Sequence, residues 1–134
     1  MRRKPGRWLG VGTERYLWGV GHFHRPGPKD CNEFVWIRRE GSHGRLLVVF
    51  AAGDGHLVYD GYPLHSGEVQ HADDRGLNLN QPGVARALLD AAIAGGWDPL
   101  ANRTTELDGW SLFDTAYANT TSGRYFPRPA RVEG

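Results

Sequence analysis

The stretch LNLNQPGVARALLDAAIAGGWDPLANRTTELDGWSLFDTAY, residues 77–117, decides the fold of this chain. Leu77-Asn78-Leu79-Asn80 alternates apolar and polar side chains, the period of a half-buried strand. From Val84 onward the apolar residues recur at helical spacing. Val84, Leu88, Ala91, Ala92 and Gly95 form one stripe, widened by Leu89 and Ile93. Asn80 is placed to cap the first free amides, and Pro82 suits the first turn. Arg86 and Asp90 stand four apart on the polar side, where such a pair supports a helix. Gly95-Gly96 stops the helix, Trp97 staples it to the core, and Asp98-Pro99 turns the chain. Thr104–Leu107 follows as an edge strand. Asp108 then caps a short helix that carries Trp110, Phe113 and Tyr117 on one face.

Upstream of that stretch the pattern is one of strands. Arg7–Gly12 is short and anchored by Trp8. Arg15–His24 sets Tyr16, Trp18, Val20, His22 and His24 on one face and Leu17, Gly19, Gly21 and Phe23 on the other. Pro26-Gly27-Pro28 ends that strand. Glu33–Arg39 and Arg45–Ala52 pair around Glu40–Gly44. The second of them is apolar on both faces, so it belongs at the centre of a sheet. Gly53-Asp54-Gly55 turns into His56–Tyr59, a second hairpin. Residues 60–76 have no sustained period beyond a brief strand near Glu68–His71. The predicted architecture is α+β: a mostly antiparallel meander sheet of five to six strands, one long helix across a face, and a short C-terminal helix.

Composition bounds the functional classes. A length of 134 residues with 15 aromatics suits one domain with one core. The net charge of +1 hides a split, because residues 1–7 and 124–134 carry +6 and the rest carries −5. The basic ends, 1–6 and 124–134, read as mobile tails. The acidic remainder disfavours nucleic acid on the folded part and leaves the arginine-rich tails as the only route to it. A single cysteine excludes an internal disulfide and, with no export signal, points to the cytoplasm. No apolar run is long enough to span a bilayer. The bias of 14 arginines against two lysines, with abundant Ala and Gly, suggests a GC-rich bacterial source.

Two constellations could carry chemistry. In His22-Phe23-His24 both imidazoles project from one side of a strand, and neutral imidazole is a good ligand for zinc, copper, nickel or iron. A third ligand would have to come from His65, His71, His56 or Glu68. The loop Tyr59-Asp60-Gly61-Tyr62-Pro63-Leu64-His65-Ser66-Gly67 gathers phenols, a carboxyl, an imidazole and a hydroxyl. Tyr59, Asp60, Tyr62, His65 and Glu68 are therefore the binding candidates. Cys31 lies beside Asp30 and Glu33, acids that raise a thiol's pKa, and reads as a bystander.

No phosphate-binding loop, nucleophile elbow or zinc finger is present. The absence of a catalytic signature favours a non-catalytic binding or regulatory module without a cofactor. One form of it is an inhibitor or immunity-type protein that meets a partner with a basic surface. A small metal-dependent enzyme built on the His-x-His pair is the alternative. An adaptor that grips nucleic acid through its tails is the third reading.

Overall fold

The computed structural model describes residues 2–3, 6–24, 31–53, 55–58 and 67–121. Its strands are β1 (Arg2–Arg3), β2 (Arg7–Val11), β3 (Glu14–His24), β4 (Cys31–Arg39), β5 (Arg45–Ala51), β6 (His56–Val58), β7 (Glu68–His71), β8 (Gly76–Asn78) and β9 (Thr104–Asp108). Helix α1 spans Pro82–Ala94 and α2 spans Gly109–Thr121. The fold is α+β and mostly antiparallel. A six-stranded sheet runs β1-β3-β4-β5-β9, with β2 also paired to β3, and β6-β7-β8 form a second, three-stranded sheet. Among the described residues no helix is long and apolar enough to cross a membrane. Arg2 and Arg3, from the basic segment read as a tail, pair with His22 and Gly21.

Among the described residues, the parallel contact in the large sheet is β5 against β9, from Arg45↔Thr104 to Val49↔Asp108. Parallel neighbours need a long crossover, and the second sheet and α1 supply it. This contact explains why the hairpin expected after β5 does not continue. Gly53 and His56 make a single antiparallel bridge. Both edges of β5 are already taken, by β4 and β9, so His56–Val58 leaves to pair with β7.

Helix α1 keeps its expected span, with two corrections. Its N-cap is Gln81, with no side-chain cap bond, rather than Asn80. The Asn80 backbone and side-chain N–H groups both donate to Asn78 Oδ1, at 3.0 and 3.1 Å, which turns that side chain away from the helix. The second correction concerns Ile93, which is 39% exposed, whereas Val84, Ala85, Ala87, Leu88, Leu89 and Ala92 are buried. The buried arc is centred between Leu88 and Ala85, and at 3.6 residues per turn Ile93 falls beyond its edge. The stop is a Schellman motif: Trp97 N–H reaches Ala92 O and Gly96 N–H reaches Ile93 O, both at 3.0 Å, with Gly96 at φ +112°.

One buried cluster draws on both sheets and both helices. Tyr16, Trp18, Val35, Ile37, Val48 and Phe50 meet Leu88, Leu89 and Phe113 there. On the sheet's other face, Phe34, Trp36 and Val49 form a smaller cluster with Leu17, Phe23 and Leu47. The β5 strand is thus covered on both sides, as its apolar run requires. Trp36 lies across Gly19, where a Cβ would come within 2.7 Å of the indole nitrogen. Burial first, and then the 3.0 Å hydrogen bond it donates to Glu14 Oε1, pushes the Tyr16 hydroxyl up to about 12.

Helix α2 starts as expected. Asp108 Oδ1 accepts from Trp110 N–H at 3.1 Å, and Ser111 Oγ–H donates to Asp108 O at 2.7 Å. Trp110 Nε1–H ties the helix to β5 through Ala51 O at 2.8 Å. Phe113 packs 5.5 Å from Trp110 and 5.9 Å from Tyr117, so the three aromatics do share a face.

Candidate metal centre

The register of β3 against β4 builds the site. Trp18 faces Ile37, Val20 faces Val35, His22 faces Glu33, and His24 faces Cys31. Directly opposed residues of an antiparallel pair share a face. The column therefore begins as core and ends as two imidazoles, a carboxyl and a thiol. Phe23, on the opposite face, is held 5.6 Å from Phe34.

His22 Nε2 and His24 Nε2 are 3.1 Å apart, and Cys31 Sγ is 3.6 Å from His24 Nδ1. One donor atom from each of His22, His24 and Cys31 can be chosen so that all three lie within 4.8 Å of one another. A tetrahedral zinc with bonds of roughly 2.0–2.3 Å sets its ligand atoms about 3.3–3.8 Å apart. Each histidine offers one nitrogen to a single ion, so the 4.8 Å limit, rather than the two shorter contacts, is the spacing that an ion would draw in. The two rings stand at 85° with centroids 4.7 Å apart, and the hydrogen bond between their Nε2 atoms is one that a bound ion would replace. Burial falls across the three, from Cys31 through His22 to exposed His24.

Glu33 stands behind the site with a fully buried side chain. Its Oε2 is hydrogen-bonded to His22 Nδ1, and its Oε1 accepts the Gly67 backbone N–H at 3.1 Å. An ionised carboxyl can only accept, so the shared proton then sits on Nδ1 and the Nε2 lone pair faces His24 Nε2, 3.1 Å away. A carboxylate that orients a histidine in this way is the usual outer partner of a metal-ligating imidazole. Gly67, which accepts nothing larger, has φ +90°, and a Cβ there would collide with the Asn80 side-chain amide.

The other candidates fall elsewhere. His56 and His71 face each other across β6 and β7. His56 stacks on Trp110 at 4.1 Å and 7°, and His71 packs 5.6 Å from Phe113. Both are therefore bound into the α2 aromatic face. Glu68 pairs with Asn78 in the small sheet and is not among the converging donors. Tyr59, Asp60, Tyr62 and His65 lie outside the described residues, as do Asp30 and the rest of residues 25–30. A separate cleft of about 380 Å³ between the end of α1, β9 and α2 is lined by Trp97, Arg103, Leu107 and Ser111 among others, and holds none of the metal donors.

Cys31 is the residue that the sequence reading passed over. Its signal was a mirror: His-x-His at the end of one strand and Cys-x-Glu at the start of the next, residues 22 and 24 against 33 and 31. A strand that begins at Cys31 rather than Glu33 brings the two pairs into register. No protein-family model, curated protein or solved structure matches this chain, so the chemistry of the site is read from these side chains themselves.

Proposed function

We propose that the protein binds zinc through His22, His24 and Cys31, with Glu33 fixing the His22 tautomer. The observation that carries this reading is the convergence of two imidazole nitrogens and a thiol on one face of the β3–β4 pair. Imidazole and thiolate together select zinc or copper over the hard cations, which prefer oxygen. Three donors from the described residues leave one tetrahedral position for water, for a substrate atom or for a donor from elsewhere. Closed structural zinc sites take four protein ligands, and catalytic ones take three with an exchangeable fourth position. The convergence of three such donors supports the metal-dependent alternative over a module that works without a cofactor.

Calorimetric titration of the reduced protein with zinc tests the reading. The expected result is one site in the wild type and no measurable heat of site binding in His24→Ala. Equal heats in the two proteins would remove the proposal.

A further inference from the structure

We infer that hydrogen peroxide controls the occupancy of this site, because oxidation of Cys31 expels the zinc. The inference rests on the zinc reading above and adds its regulation. Of the three converging donors, two are imidazoles that bind in neutral form, so the Cys31 thiolate is the one anionic ligand. It is also the only sulfur donor that His22 and His24 have beside them on the pair, since Cys31 is the single cysteine of the chain. Cys31 is buried, and exposed His24 stands directly across the ladder from it, with Nδ1 3.6 Å from the sulfur.

The chemistry balances without a further reactant. The thiolate sulfur attacks one peroxide oxygen, an S–O bond forms and the O–O bond breaks. Cysteine becomes neutral sulfenic acid, oxidised by two electrons, and the departing hydroxide takes up a solvent proton to leave as water. The site then keeps two neutral imidazoles and loses its charged donor. Removing an outer-shell partner alone costs roughly 10–100-fold in metal affinity, and losing a ligand costs more. With no second cysteine in the chain to resolve the sulfenate into an internal disulfide, reduction has to come from an external thiol. The switch is therefore reversible only in a thiol-containing medium.

The test uses the zinc-loaded wild-type protein, stoichiometric hydrogen peroxide and a chromogenic zinc chelator. Zinc release is expected to keep pace with a one-oxygen mass gain on the peptide containing Cys31, and dithiothreitol is expected to restore binding. Cys31→Asp keeps an anionic donor that peroxide does not oxidise, so the zinc it holds should stay in place. Protein that never loads zinc would overturn the metal reading and this inference with it. Protein that loads zinc but retains it after Cys31 has gained oxygen, or releases it with Cys31 unmodified, overturns the redox inference alone. Should Cys31→Asp fail to load, the wild-type time courses of release and mass gain still decide.

Discussion

Glu33→Gln isolates the orienting role of the buried carboxyl. Glutamine keeps the volume, and its amide oxygen can still accept the Gly67 N–H that Glu33 Oε1 accepts at 3.1 Å. Its NH2 group, however, now faces His22 Nδ1, which must become an acceptor. The proton moves to Nε2, and the lone pair that a metal needs is gone. The affinity for zinc should fall about 10–100-fold, or about 1.4–2.8 kcal/mol. The fold should also lose part of the roughly 1.5–3 kcal/mol that a hydrogen bond to a charged group contributes. Glu33→Ala is the harsher change, because it also orphans the buried Gly67 N–H, at about 1–3 kcal/mol. Chelator-competition titrations report the affinity, and urea unfolding of the zinc-free proteins reports the stability. Glutamine at this position with wild-type zinc affinity would refute the reasoning.

Three further outcomes follow from the packing. Leu88→Ala empties a fully buried position under the sheet and should cost about 2–5 kcal/mol in chemical denaturation, whereas Ile93→Ala, at 39% exposure, should stay well below that range. Gly67→Ala forces a side chain into positive φ against Asn80, so it should both destabilise the protein and, through Glu33, weaken zinc binding in the same competition titration. Tyr16 holds its proton up to about 12 in the native state, while the unfolded chain releases it near 10. Its stabilising contribution is thus complete below about pH 10 and is lost as pH rises through about 12. Tyr16→Phe should therefore flatten that part of the alkaline stability curve, measured by urea unfolding at stepped pH.

The fold was legible where one side of an element is apolar and its ends are marked. Val84 and Leu88 announced the buried face of α1, Gly95-Gly96 its end, and Asp108 the start of α2. The brief strand at Glu68–His71 was visible even inside an irregular stretch. What stayed hidden depended on contacts distant in sequence. His56–Val58 reads as the partner of β5 until β9, some 50 residues on, is known to occupy that edge. Asn80 has the chemistry of a cap, but Asn78 holds its side chain first.

The metal site was half legible, for a physical reason. Alternation alone puts His22 and His24 on one face, because it is a property of a single strand. The third donor comes from register, a property of two paired strands. Glu33 was seen only as an acid beside Cys31. Its burial behind His22 follows from the core column that Trp18–Ile37 and Val20–Val35 begin.

Cobalt substitution tests the central claim most directly, since its spectrum reports both the sulfur ligand and the tetrahedral geometry. Titrated into the reduced wild-type protein, one equivalent should give an intense visible d–d envelope together with a thiolate-to-cobalt charge-transfer band. Cys31→Ser should lose the charge-transfer band. A wild-type spectrum identical to that of cobalt in buffer, or a band that persists without Cys31, would contradict the assignment of His22, His24 and Cys31 as a metal centre.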